Sequence, residues 1–227
     1  MTNKQKNIES QDEFQAGPAK VLMLMGRQCS YCGPMMKILI DLMKQGSIAE
    51  LKIVNIEENP ALATELGVRS VPWLQIGPFE LQGARTEPEL VLWLQRAASS
   101  EGISDYFSEV LAEGKIDYAN KLIQRHPETL DNIIDLMTDA DAKINVRLGV
   151  GAIIEEMAES EVFKRVVPRL IEYLSHDDAR VRGDACHYLS LTRDKSHIPA
   201  IRKLLSDDSE EVREIAQDSL DDLGAIG

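Results

Sequence analysis

The chain has only three cysteines in 227 residues, one close pair and one single, too few for a disulfide framework. Long apolar runs are missing too. The longest, Val21 to Met25, covers five residues, against the roughly 20 that a bilayer-spanning helix needs. The stretch from Met1 to Phe14 is polar and mixed in charge, without the apolar segment of a secretory signal. There is no second Cys-x-x-Cys and no pair of histidines at ligand spacing, so no metal site is expected. Positive charge is in deficit, 25 Lys and Arg against 38 Asp and Glu, for a net charge of −13. That sign repels phosphate and argues against nucleic acid as a partner. The chain is expected to be soluble and cytoplasmic, in a reducing compartment, with no membrane segment.

What is present is 44% apolar residues, enough to build real cores, in a length that suits two domains of about 100–130 residues each. The charge is unevenly placed. Residues 1–100 carry ten Lys and Arg against eleven Asp and Glu, and residues 101–227 carry fifteen against 27. A shift this sharp predicts a boundary near residue 100. The expected organisation is a loose tail over 1–17, a first domain over 18–100 and a second over 101–227. The acidity of the second is either a well-solvated helical surface or a face that steers a basic partner.

In the first half, Val21 to Met25 reads as a strand buried on both faces. Gly26-Arg27-Gln28 then turns the chain into Cys29-Ser30-Tyr31-Cys32. Apolar residues at 35, 36, 39, 40 and 43 recur with helical spacing, and Gly46 stops the helix. Leu51 to Ile56 reads as a second strand, and Pro60 to Leu66 as a short helix closed by Gly67. Val71 to Ile76, a turn at Gly77-Pro78, Phe79 to Leu81 and a last helix from Glu87 to Ala97 complete the order strand, helix, strand, helix, strand, strand, helix. Pro34 predicts a small distortion, because its missing N–H would leave the Ser30 carbonyl unpaired. Met23, Met25, Met35, Met36 and Met43 read as core rather than as soft-metal ligands.

A Cys-x-x-Cys that ends a strand and opens a helix is a specific redox signal. The Cys29 thiolate is expected at the positive end of the helix, where backbone N–H groups lower its pKa. Cys32, nearly one turn on, is the shielded partner. Cys29 is therefore the attacking thiol and Cys32 the resolving one, through a mixed disulfide with the substrate.

With the run Asn55-Ile56-Glu57-Glu58-Asn59-Pro60 and the Gly67-Val68-Arg69-Ser70-Val71-Pro72 that follows, residues 18–100 resemble the thioredoxin superfamily. That resemblance implies a cis Pro72 facing the dithiol and a Val71 whose backbone receives a peptide strand. The family's buried Asp and neighbouring Lys correspond to Met23 and Ile53, so the usual acid–base helper for the second cysteine is missing. Tyr31, a water or a substrate group is left to take that role. The Cys-Ser-Tyr-Cys tetrapeptide is similar to glutaredoxins. Arg27 could serve as the basic residue of a glutathione site, but the Gly-Gly-Asp end of that site is reduced to Gly83, Ala84 and Arg85. No cofactor is expected, with glutathione left open. Tyr31 and Arg27 join Val71 and Pro72 as candidate substrate-binding residues.

After residue 100 the strand signals vanish and a 31-residue register takes over. Pro168, Leu174, Ser175, Asp177, Val181, Arg182, Ala185 and Leu189 are answered by Pro199, Leu205, Ser206, Asp208, Val212, Arg213, Ala216 and Leu220. Eight identities at one offset exceed coincidence. A looser copy stands at Val146-Arg147, with Val150 and Ile154 at the matching offsets. Val181, Ala185 and Leu189 share one helix face, small Ala185 permits close contact, and Ser175 and Asp177 are expected to end one helix and cap the next. The pattern resembles short HEAT-like repeats of the kind found in phycobilin lyase-related proteins, sharing the repeat and implying no lyase chemistry. Such an α-solenoid presents a continuous surface to a protein partner. Cys186, equivalent to Gln217 and Gly151, reads as a structural thiol or as one that exchanges with the dithiol. His126, His176 and His197 read as solvated.

The sequence thus predicts an α/β thioredoxin-like domain followed by an all-α HEAT-like domain. The expected activity is thiol–disulfide oxidoreduction, reducing a specific protein disulfide. Its partners would be a protein client, with a basic surface if the acidic face steers it, and a thiol reductant or thioredoxin-reductase-type donor. An assembly protein with little redox turnover, or a glutathione-dependent glutaredoxin-like enzyme, are the alternatives.

Overall fold

Residues 17–224 are described in the computed structural model of the chain. The loose tail expected over 1–17 falls outside them apart from its last residue. The chain divides into two compact units between Ile103 and Ser104, inside the helix Ser100–Ala112.

The first unit follows the element order read from the sequence. β1 (Ala19–Met25), β2 (Ile48–Asn55), β3 (Trp73–Ile76) and β4 (Phe79–Gln82) form one sheet of order β2-β1-β3-β4. β1 is parallel to β2 and antiparallel to β3, and β3 is antiparallel to β4. β1 is interior, with Met23 between Ile53 and Leu74 and Leu24 between Val54 and Trp73. Both faces of such a strand are covered, which is why its residues run apolar instead of alternating. Met23, Leu24, Leu74 and Ile76 are fully buried.

Helix α1 (Cys32–Lys44) buries Cys32, Met35, Leu39 and Leu42, and α2 (Pro60–Glu65) ends at a Gly67 of φ +67°. Helix α3 (Glu87–Ala97) opens with a capping box: the Thr86 N–H donates to Glu89 Oε2 at 2.7 Å, and the Thr86 side chain accepts in return. Of the methionines expected in the core, Met23 and Met35 are buried, Met25 and Met36 half-buried, and Met43 exposed. The distortion expected at Pro34 has no cause. The helix starts at Cys32, so Pro34 lies in its first turn, where an N–H has no intrahelical acceptor to lose.

The second unit is helical throughout its described residues. α4 (Ser100–Ala112) leads into α5 (Ile116–Arg125), α6 (Leu130–Met137), α7 (Ile144–Met157), α8 (Val167–Tyr173), α9 (Ala179–Leu191), α10 (Ile198–Ile201) and α11 (Glu210–Asp222). α6 packs on α7, α8 on α9, and the 3₁₀ extension of α10 (Arg202–Ser206) on α11, while α7, α9 and α11 neighbour one another in series. Val181, Ala185 and Leu189, with Val212, Ala216 and Leu220 one repeat on, are buried as the 31-residue register requires. No helix among the described residues is long and apolar enough to cross a membrane.

The register also appears in hydrogen bonds. Arg182 Nη1 donates to the carbonyls of His176 and Asp177 at 2.8 and 3.0 Å. Arg213 Nη1, one repeat later, donates to the carbonyls of Asp207 and Asp208 at 2.7 and 3.1 Å. The repeats are then joined sideways. Arg182 Nε and Nη2 donate to the two carboxylate oxygens of Asp207 at 2.8 and 2.7 Å, with the side chains 15% and 7% exposed. Asp207 Oδ1 also accepts from the Ser209 N–H at 2.9 Å. The cap of α9 is Asp178 rather than the expected Asp177: its Oδ1 accepts from the Arg180 N–H at 2.9 Å. The chain turns one residue later than the repeat identity suggested. His197, expected to be solvated, is buried.

A Cβ on Gly102 would lie 2.5 Å from the Arg96 backbone, whereas one on Gly33 meets nothing within 4 Å. Gly102→Ala is expected to destabilise the chain by about 3 kcal/mol, and Gly33→Ala in the first turn of α1 to stabilise it by about 0.5–1 kcal/mol, both read by denaturant melts. Asp207→Asn, which strips Arg182 of its counter-charge, should cost about 2–3 kcal/mol. The two Arg182 hydrogen bonds hold the Asp207 carboxyl below the usual carboxylate range. Its stabilisation is therefore complete above the unfolded value of about 3.9 and is lost as pH falls through the lower folded value. Acid titration of helicity should show that part of the loss missing in Asp207→Asn.

Candidate functional site

The site begins where β1 stops. The Ile56 N–H donates to the Met25 carbonyl at 2.9 Å, extending the β1–β2 ladder by one rung. Beyond it, Gly26 is buried where a Cβ would meet Glu57 Oε1 at 3.3 Å and Val71 Cγ2 at 3.4 Å. The glycine gives the Glu57 carboxylate its place beside the end of β1. Two turns follow: the Cys29 N–H donates to the Gly26 carbonyl, and the Cys32 N–H to the Cys29 carbonyl, each at 3.3 Å. α1 then starts at Cys32, capped by Tyr31, whose carbonyl accepts from the Met35 N–H at 3.2 Å. Cys29 accordingly sits one turn ahead of the helix rather than on its first residue.

Cys29 and Cys32 are joined by a disulfide, with an S–S distance of 2.09 Å and a Cα–Cα distance of 5.4 Å. Cys29 is half-buried, whereas Cys32 is 1% exposed. The outer sulfur is open to another sulfur and the inner one is shielded. Tyr31 between them is 64% exposed, an aromatic ring standing free at the rim.

The Val71–Pro72 peptide bond is cis, with Pro72 buried and Val71 half-buried. This loop is tied to the far end of β4. The Gly83 N–H donates to the Pro72 carbonyl at 2.9 Å, and Gln82 Nε2 to Ser70 Oγ at 2.5 Å. The antiparallel pairing of β1 with β3, which sets Leu24 opposite Trp73, brings Cys29, Cys32, Arg27 and Val71–Pro72 to one end of the sheet.

Arg27 is occupied. Its Nε lies 3.3 Å from Glu57 Oε2, its Nη2 donates to Glu58 Oε1, and its backbone N–H donates to Glu57 Oε1 at 2.9 Å. The Glu57 N–H in turn donates to Asn55 Oδ1 at 2.9 Å, fixing the loop that carries both carboxylates. The guanidinium that would receive a glutathione carboxylate already holds two carboxylates of its own chain. Arg85 is turned back as well, its Nη1 donating to the Ala84 carbonyl at 2.9 Å. Met23 and Ile53, which stand where the resemblance places a buried acid and its Lys, are register partners, so neither position titrates. Glu57 and Glu58 were not singled out from the sequence, although the parallel register could have found them. With Met25 opposite Asn55, two steps further on Arg27 faces Glu57.

Cys186 belongs to α9 of the second unit. It is fully buried, donates to Ser219 Oγ at 3.6 Å, and burial pushes its thiol up to about 11. That environment suits a structural thiol and opposes the exchange with the dithiol considered from the sequence, since a buried neutral thiol is a poor nucleophile.

Residues 19–95 match the family model of the thioredoxin domain, and residues 130–221 match that of HEAT repeats. No curated protein matches the chain. The HEAT match begins at the start of α6, which pairs α6 with α7 as a repeat that sequence identity alone did not resolve. The chain is a thioredoxin-like α/β domain followed by all-α HEAT-like repeats, and the first carries a thiol- or redox-related role.

In the reduced protein, iodoacetamide near pH 8 should modify Cys29 first and Cys32 slowly. Cys186 should stay unmodified until denaturant is added, as read by peptide mass mapping. A 29–186 or 32–186 bridge in the oxidised native protein would refute the buried-thiol reading.

Proposed function

We propose that this chain is a thiol–disulfide oxidoreductase that reduces a specific protein disulfide, and that its HEAT-like repeats hold the protein to be reduced. The observation that carries the reading is the asymmetry of the pair: an accessible Cys29 against a shielded Cys32, beside a buried cis-proline loop. In the reduced enzyme the Cys29 thiolate attacks one sulfur of the client disulfide, and the other client sulfur leaves as a thiol after taking a proton. The Cys32 thiolate then attacks Cys29 Sγ, expelling the second client thiol and forming the Cys29–Cys32 disulfide. Two electrons pass from the enzyme dithiol to the client, and an external thiol or dithiol reductant restores the enzyme.

Val71 and Pro72 are the residues along which an incoming peptide would lie, with Tyr31 at the rim. Without a titrating group at Met23 or Ile53, deprotonation of Cys32 falls to Tyr31, to water or to the departing client thiolate. That favours a slow, client-selective reductant. Arg27 and Arg85, the cations the sequence compared with a glutathione site, are already engaged within the chain, which favours a protein client. A reducing, cytoplasmic setting suits a dithiol that must be regenerated.

Cys32→Ser should arrest the reaction at the Cys29 mixed disulfide. Thiol-sensitive mass spectrometry of the trapped species should recover one or a few client proteins, and Cys29→Ser should lose trapping and disulfide-reducing activity together. If Cys29→Ser keeps its bound partners and the native chain reduces no disulfide, the domain serves assembly instead.

A further inference from the structure

Among the described residues β2 is an outermost strand of the sheet, so one side of its backbone has no partner strand. Which residues own that side follows from one hydrogen bond. The Ile56 N–H donates to the Met25 carbonyl at the end of β1, and successive strand residues point their N–H and C=O groups to alternate sides. The register with β1 is unbroken from Lys20–Glu50 to Met25–Asn55. Even-numbered residues of β2 from Glu50 onward therefore bond to β1, and Leu51 and Ile53 turn their backbone groups outward. Ala49, which the register skips between Ala19–Ile48 and Lys20–Glu50, is exposed beside them. Unpaired backbone groups at a sheet edge are a template for another strand. The side chains between them are exposed and opposite in sign, Glu50 and Lys52, while Leu51 and Ile53 are half-buried.

We propose that β2 pairs edge to edge with β2 of a second copy of this chain, antiparallel about a two-fold axis through Leu51, joining the two four-stranded sheets into one. Charge selects the register. An axis at Glu50 or at Lys52 would set like charges opposite each other, and one at Ala49 or Ile53 would set a charge against Ile48 or Val54. Only the axis at Leu51 places Glu50 opposite the partner's Lys52, and Lys52 opposite the partner's Glu50. In that register Leu51 exchanges both hydrogen bonds with its own copy, and Ile53 does so with the partner's Ala49. The two Glu–Lys pairs then fall at the positions without hydrogen bonds, where side chains come closest. Each charge has room for this partner. Lys52 faces Leu22 in β1, which offers it no counter-charge. Glu50 has Lys20 at 4.0 Å across β1, both well exposed, so its carboxylate would stand between two cations on neighbouring strands. This pairing goes beyond the thiol–disulfide reading and does not depend on it.

The test is sedimentation equilibrium of the full chain in its oxidised form. Across the micromolar range the mass of the native chain should climb toward twice its 25.3 kDa. Glu50→Lys and Lys52→Glu each set like charges at both cross-strand pairs, and each should weaken self-association about tenfold or more. An equimolar mixture of the two variants should associate about as tightly as the native chain, because each supplies the charges the other lacks. Misfolding cannot produce rescue by mixing. Amide hydrogen exchange then locates the contact: the Leu51 and Ile53 N–H groups should slow as native concentration rises and stay fast in either variant alone. A native chain that remains monomeric throughout that range would overturn the proposal, as would a dimer that neither substitution weakens. Slow exchange at Leu51 and Ile53 that ignores concentration would place another segment of the same chain on the edge, and would overturn it too.

Discussion

The parallel pairing of β1 with β2 is the constraint on which the redox end of the molecule depends. It sets Met25 opposite Asn55, and the hydrogen bond from the Ile56 N–H carries the pairing one step past the strands. From there the two loops diverge with their side chains already matched, Arg27 to Glu57 and Gly26 to the space the carboxylate needs. A register slip of one residue would turn every side chain of β1 to the other face of the sheet. It would exchange Met23 and Leu24 between the two covered faces and part Arg27 from Glu57 at the same time. Core and site are held by the same row of backbone bonds.

The helical unit meets a different demand. A stack of helix pairs touches only its neighbours, so its order must be renewed at every step. Apolar burial along Val181, Ala185 and Leu189 does most of this, but apolar contacts alone let helices slide. The fork of Arg182 on Asp207 fixes the distance between successive repeats, because a bidentate guanidinium–carboxylate pair tolerates little displacement. The same arginine also ties down the loop within its own repeat, so turn geometry and stacking geometry are set by one side chain.

Much of this was legible in the sequence, and the unread parts have physical reasons. The element order of the first unit followed from apolar runs and from glycine and proline at the turns, which are local signals. The dithiol was visible because its spacing is itself chemical. The 31-residue repeat was visible because Val, Arg, Ala and Leu recur at fixed offsets. The start of α1 was missed because Cys29 has the right neighbours for a helix start, whereas the backbone makes one more turn before Cys32. The burial of His197 depends on long-range packing of α10, and the grip on Arg27 joins residues 30 and 31 apart, beyond the reach of local pattern. Arg27 was read from the sequence as a ligand-binding cation. Its true surroundings required knowing which residues lie across from it.

The shared role of Arg182 makes repeat length an electrical quantity as well as a steric one. The arginine must arrive at the rim of its helix just as the aspartate of the following loop comes into reach, 25 residues on. A one-residue insertion within α9 after Arg182 would rotate the rest of that helix by about 100° relative to the arginine and carry Asp207 away from the guanidinium. The joint between these two repeats is therefore phase-locked. The looser copy, whose Val146 stands 35 residues before Val181 against 31 from Val181 to Val212, has no such fork, and there added length is taken up outside the aligned helix faces.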